Sequence, residues 1–255
     1  MRIRDKTALR ATQLAAVVAV LWLTGCAARP GPGDDTPDSA WPSLPDLAAA
    51  TAYRIDASAS ELRAIVSPAG PMAGLGHHHV VGGAALHGTL HVFGGSPPRA
   101  FVDARVDVDA LEVDRPAWRR EEGLDPELEE DTVTGTRRNL LGPELLDAER
   151  HPHIEIRSAG AIGPGWQQDA TLRLRIKGRI RELVVPVAVE QRGDRLVATG
   201  RLSVDHAELG LEPFSAAGGA LRVAETIEIR FRVVARASPA DVAMMRGGPH
   251  PPDAS

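Results

Sequence analysis

Alternation dominates the chain. Val102, Ala104, Val106, Val108 and Ala110 are interleaved with Asp103, Arg105, Asp107 and Asp109. Leu172, Leu174 and Ile176 alternate with Arg173, Arg175 and Lys177. Leu196, Ala198, Gly200, Leu202 and Val204 share one face, and Ile227, Ile229, Phe231 and Val233 alternate with Glu228, Arg230 and Arg232. A period of two sends successive side chains to opposite faces, so each run predicts a strand with one dry and one wet face. "VVPVAVEQRGDRLVATG" reads as two strands around the turn Arg192-Gly193-Asp194. Strands of this kind need a common core, and their short connections predict an all-β, antiparallel barrel or sandwich. One segment departs from the pattern. "GTRRNLLGPELLDAERHP" spaces Leu140, Leu141, Leu145 and Leu146 as a helix does, with an interruption at Gly142-Pro143, and predicts a short helical insertion ending near Pro152. The acidic run before it, "REEGLDPELEED", reads as a solvated loop and lacks the ligand spacing of an EF-hand.

The two ends lack this alternation. Arg2, Arg4, Lys6 and Arg10 precede the apolar run Leu14 to Leu23, which is the size of a signal-peptide core and too short to span a bilayer. The run closes on "LTGC", which resembles a bacterial lipoprotein processing site. That resemblance makes residues 1–25 a signal peptide and Cys26 the lipidated first mature residue. Ala27 follows it, not aspartate, which implies outer-membrane sorting on the periplasmic side of the envelope. Residues 26–51 are rich in proline, glycine and aspartate and read as a flexible tether. Residues 238–255 read as a disordered tail, which leaves 52–237 as the folded domain.

Composition narrows the function classes. The net charge is −5 with no basic stripe, which argues against a nucleic-acid partner. The single cysteine permits neither an internal disulfide nor a cysteine-based zinc cage. Aromatic residues make up 4 % of the chain, so a barrel lumen lined by alanine, valine, glycine and leucine fills poorly and tends towards a cavity.

"YRIDASASELRAIV" (with Tyr53, Ile55, Asp56 and Ser60), "NLLGPELLDAERHPHIEIRS" and "LRVAETIEIRFRVVA" together resemble, in order and spacing, the signature segments of the YceI-like proteins over about residues 52–236. The resemblance implies a lipocalin-like antiparallel β-barrel that holds an apolar, isoprenoid- or quinone-like lipid non-covalently in its lumen. It implies a binding protein and not an enzyme, with no cofactor. Where the family has a His-Gly-Val-Thr-Lys-Pro-like segment, this chain has Lys177-Gly178-Arg179-Ile180-Arg181-Glu182, and only the glycine carries over. "GLGHHHVV" resembles a branch of the family with a glycine-histidine-x-histidine segment.

The histidines are the candidate polar groups. Extending the face of Leu196 to Val204 places His206 on the dry side at a barrel rim. Carried back unbroken from Leu86, Leu90 and Val92, the strand phase turns His78 inward; a bulge at Gly82-Gly83 turns His77 and His79 inward instead. His77, His78, His79 and His206 are therefore candidates for contact with a ligand's polar head at the rim. The plainer reading, a polar rim or structural role, stands beside it. The alternative function is a histidine-based metal-binding or redox-accessory module, with His77, His79 and His206 holding a divalent metal. His87, His91, His151, His153 and His250 read as surface or loop residues. "SVDH" (Ser203, Asp205, His206) mimics a catalytic triad in miniature, but neighbours on a strand point to opposite faces, so Asp205 cannot orient His206.

Overall fold

The computed structural model describes residues 41–94, 99–163, 167–238 and 241. In chain order the strands are β1 (Ala50–Ile55), β2 (Glu61–Val66), β3 (Pro68–Ala69), β4 (His79–Gly83), β5 (Leu86–Phe93), β6 (Arg99–Asp107) and β7 (Glu112–Val113). Two helices follow, α1 (Pro116–Glu121) and α2 (Glu130–Leu141). The chain continues through β8 (His153–Ser158), β9 (Gln167–Ile176), β10 (Arg179–Arg192), β11 (Arg195–Asp205), β12 (Ser215–Ala216), β13 (Leu221–Val223) and β14 (Thr226–Ala237). The segment read as a signal peptide, Cys26 and most of the segment read as a tail lie outside the described residues.

The long strands form a closed antiparallel barrel of eight, in the order β1-β5-β6-β8-β9-β10-β11-β14, with β14 pairing back to β1. Three staves of this barrel are broken in two. β14 pairs β1 through Ala235–Ala237 and β2 through Glu228–Arg232, so β1 and β2 are halves of one stave. β4 continues β5 in the same way, pairing β2 as β5 pairs β1, and β7 continues β6. The β1–β2 break is bridged by side chains. Asp56 Oδ1 accepts from the Ser58 hydroxyl and the Ala59 N–H, and the Ser60 hydroxyl accepts from the Val234 N–H at 2.9 Å where a ladder carbonyl would stand. At the β4–β5 break the alternation changes phase. Leu86, Leu90 and Val92 face the lumen from β5, but Val81 does so from β4.

The dry faces read from the alternation point inward, except that the run from Val102 stops at Val106: the strand ends at Asp107, and Val108–Ala110 turn into a 3-10 segment that leaves Ala110 exposed. Leu172, Leu174 and Ile176, then Ile227, Ile229, Phe231 and Val233, all point into the barrel, while Arg173, Arg175, Glu155, Glu182, Arg157 and Asp103 pair with one another on the outer wall. Opposite charges facing each other across strands suit the wet face.

One end of the barrel is covered. The helices, the β12-β13-β3 sheet and the β9–β10 turn all lie at this end, because β7, β11 and the start of β8 reach it. The acidic run differs from the expected solvated loop at its start. Pro116 opens α1, where its fixed φ and missing N–H suit a first helical turn. α1 docks on the outside of β2 and β4. Its Trp118 lies against Gly82, with the guanidinium groups of Arg63 and Arg115 over the indole at 5.7 and 4.9 Å. Glu121 and Glu122 take Arg63, and Glu122 also takes Arg230 at 2.6 Å. These arginines stand far away in sequence, and they convert acidic side chains that would stay solvated into docking contacts.

The chain reaches the barrel earlier than the tether reading places it. β1 begins at Ala50, and Trp41 is already held against the outer wall, with the guanidinium groups of Arg157 and Arg175 over its ring at 5.3 and 4.5 Å. Arg157 also donates to the Pro42 carbonyl at 2.8 Å.

Close approach of β5 and β6 depends on Gly88. Its φ is 144°, and a Cβ there would stand 2.4 Å from the Asp103 carbonyl oxygen and 2.5 Å from Ala104 Cα. Gly88→Ala should lower unfolding stability by about 3 kcal/mol, through strain and a backbone clash. Urea unfolding followed by circular dichroism reads this directly, and an unchanged midpoint would contradict the close packing.

Candidate functional site

The closed barrel surrounds a cavity of about 580 Å³. Such a volume falls in the range of small-molecule sites. Its origin is the size of the inward side chains. Phe231 is the one benzenoid ring among the lining residues, and it lies over Gly200, where a Cβ would stand 2.4 Å from the ring. The rest of the lumen is alanine, valine, leucine and isoleucine reaching towards a middle they do not fill. Leu62, Leu172, Leu174, Leu202 and Ile229 accordingly keep part of their surface accessible despite facing inward.

The two ends of the cavity differ. At the covered end, Leu111, Leu146, His206, Leu209 and Leu211 line it and all are buried. At the opposite end the lining includes Arg99, Gly163 and Gln191, all exposed, so the described residues leave the cavity its opening there. Gln191 is held at this mouth by donating to the Tyr53 hydroxyl at 2.7 Å, and that hydroxyl donates to the Gly193 carbonyl at 3.3 Å. Burial raises the Tyr53 phenol above its ordinary pKa; the Gln191 amide opposes the shift and the Asp194 charge adds to it. The phenol therefore stays protonated and able to serve both bonds.

The four candidate histidines separate. His206 lines the cavity, on the dry side as the strand face predicts. It stands at the closed end, however, not at an open rim, because the chain after it folds over the barrel: the Leu211 N–H donates back to the His206 carbonyl, and Leu209 and Leu211 plug the gap. The His206 Nδ1 donates to the Glu225 carbonyl at 2.8 Å. His77, His78 and His79 are absent from the lining. The phase does reverse ahead of β5, so His79 falls on the side of Val81, but it lies beyond the lumen among the capping elements. His77 and His78 are exposed; His78 Nδ1 lies 3.0 Å from the Ser67 hydroxyl. Among the described residues no group of three histidine, cysteine, aspartate or glutamate side chains is placed to hold a metal ion, His77, His79 and His206 included. In the "SVDH" segment, Asp205 accepts from the Thr226 hydroxyl at 2.6 Å, facing away from its neighbour.

His79 has partners that its own sequence neighbourhood does not reveal. Its Nδ1 lies 2.6 Å from Asp114 Oδ2, and its Nε2 lies 3.5 Å from the Thr136 hydroxyl on α2. Asp114 is fully buried in its side chain and also accepts from the Val80 N–H at 2.9 Å and from Arg119 Nη1 at 2.8 Å. Arg119 also donates to the carbonyls of His78, from Nη1 at 2.6 Å, and Asp125, from Nε at 2.5 Å. Burial pushes the Asp114 carboxyl up, but hydrogen bonds from His79, Val80 and Arg119 outweigh it and hold the pKa below its ordinary value. The network ties β4, β7, α1 and α2 into one cap, and its place outside the lumen gives it a structural role.

Comparison with known proteins agrees with this architecture. The family model described as "YceI-like domain" matches residues 53–235. No curated protein matches the chain. Among solved structures, the crystal structure of Burkholderia cenocepacia BcnA is similar with a TM-score of 0.50 at 19 % identity, covering 71 % of this chain and 98 % of that one. A polyisoprenoid binding domain from Saccharophagus degradans, implicated in plant cell wall breakdown, aligns with a TM-score of 0.49 at 14 % identity, covering 74 % and 99 %.

The Asp114 network sets a pH dependence. A carboxylate with a lowered folded-state pKa stabilises the fold above the unfolded value, near pH 4, and that contribution is lost as pH falls through the folded value. Asp114→Asn should cost about 3 kcal/mol near neutrality, because Arg119 is left buried without its counter-charge. The gap to the parent should narrow in strong acid. Urea midpoints at neutral and strongly acidic pH test this, and a pH-independent gap would rule out the carboxylate charge as the source.

Proposed function

The chain belongs to the YceI-like domain family, and from that premise we propose that it is a non-catalytic carrier that sequesters an apolar, isoprenoid- or quinone-like lipid in its barrel. The observation that carries the reading is the unfilled lumen: a closed antiparallel barrel whose aliphatic inner face encloses about 580 Å³. A hydrocarbon entering such a space gives up no hydrogen bonds, and each buried CH2 contributes about 0.8 kcal/mol. Polar side chains stand at the mouth, Arg99, Gln168 and Gln191, and at the closed end, His206, and the wall between them is aliphatic. Among the described residues the lumen presents no nucleophile paired with a base, which favours binding over catalysis in this reading.

In this reading Cys26 carries the lipid anchor and places the barrel on the periplasmic side of the envelope, at the outer membrane. The sequence around Cys26 supports the assignment through its basic start, short apolar run and "LTGC" junction. An acylated terminus of this kind holds the protein at a membrane, next to the pool from which an apolar ligand is drawn.

Ala198 faces the lumen from β11 and is small, so Ala198→Trp should place an indole across part of the cavity and obstruct it. Displacement titration with a fluorescent alkyl probe should show at least a ten-fold loss of affinity, with circular dichroism unchanged; parental affinity in this variant would remove the lumen as the site. The anchor is tested separately by metabolic labelling with palmitate in a bacterial host. Label should enter the parent chain and be lost in Cys26→Ser, together with retention in the membrane fraction. Equal labelling of the two would refute the assignment.

A further inference from the structure

His206 introduces a polar atom where the cavity is otherwise greasy. The lining residues near it at the closed end, Leu111, Leu145, Leu146, Leu209, Leu211 and Ile227, are all aliphatic. His206 is 4 % exposed. Its Nδ1 faces the Glu225 carbonyl, and a carbonyl oxygen only accepts, so Nδ1 carries the proton of the neutral ring. Nε2 is then a bare acceptor. Among the described residues no group hydrogen-bonds it, and His206 lines the cavity, from which a donor can reach it.

We propose that the lumen takes its ligand polar end first, with a hydroxyl of an otherwise apolar molecule donating to His206 Nε2 at the closed end and the hydrocarbon tail running back towards the Arg99–Gln191 mouth. This rests on the carrier reading and reverses the usual expectation for a barrel, in which the head stays at the opening. It selects a long-chain alcohol over a molecule with only acceptor oxygens. A second acceptor placed against Nε2 would leave both lone pairs unmatched. A carboxylate there would need a second N–H on the ring.

The constraint comes from the backbone as well as the ring. The His206 N–H also donates to the Glu225 carbonyl, at 2.9 Å, and the His206 carbonyl accepts from the Leu211 N–H at 2.8 Å. Main-chain and side-chain bonds to the same stretch fix the imidazole so that Nδ1 cannot turn into the cavity. Gly210, at φ 69°, lets the loop pass over the Arg181 guanidinium, which lies where a Cβ would stand, and this closes the floor behind His206.

The test compares 1-dodecanol with dodecyl methyl ether as competitors of a fluorescent alkyl probe on the delipidated full chain. The two match in apolar length, and only the alcohol donates. The parent should prefer the alcohol about five-fold, the worth of one net hydrogen bond. In His206→Phe the preference should vanish, with the ether's affinity within about two-fold of the parental value. Persistence of the preference in that variant would overturn the orientation and leave the carrier reading intact. Failure of both compounds to displace the probe from the parent would remove the carrier reading and this inference with it. Histidine 15N NMR on the parent chain gives a readout independent of the variant's folding: dodecanol should shift the His206 Nε2 resonance and the ether should not. An unmoved Nε2 resonance with dodecanol bound would equally overturn the orientation.

Discussion

Closure of eight strands into a ring fixes the width of the lumen before any side chain is chosen. The circumference is set by strand number and stagger, and the inner face must then be filled from the wall inward. This chain meets that demand with aliphatic residues from all sides and a single benzene ring, Phe231, folded onto Gly200. Side chains of that length do not meet across the middle. The same closure removes sheet edges along the barrel's main staves, which lets a β-domain keep an empty interior without exposing ladders for association.

Period-two alternation made the dry faces of β6, β9, β11 and β14 readable directly, because one face of each runs to the lumen and the other to charged neighbours. His206 follows from the same rule, since it simply extends the face of Val204. What the alternation could not convey is which end of the barrel is sealed. That depends on Leu209 and Leu211 folding back over the strand end, a tertiary event with no periodic signature. The histidine triplet was legible only as two competing phases. The glycine pair hinted at the reversal, and the partner that decides the role of His79, Asp114, stands 35 positions further on. The docking of α1 was hidden for a related reason: an acidic run looks solvated until Arg63 and Arg230 are brought beside it.

The cap and the lumen divide their chemistry cleanly. The buried Asp114–Arg119 pair, with His79 on the same carboxylate, lies outside the cavity. The cavity itself keeps polar groups only at its two extremities. Separating the two lets the closed end be rigid through ion pairing while the ligand space stays free of groups that would hold water.

The Trp41 contact has a mechanical consequence. β1 is the strand that completes the ring, and it is six residues long with β5 on one side and β14 on the other. Tension applied from the N-terminal side of Trp41 would peel such a short strand from its end, one ladder bond at a time. The indole held between Arg157 and Arg175 instead passes that pull sideways into β8 and β9, well away from the seam. A domain dragged by its N-terminus would thus be loaded through its wall, with its weakest joint shielded.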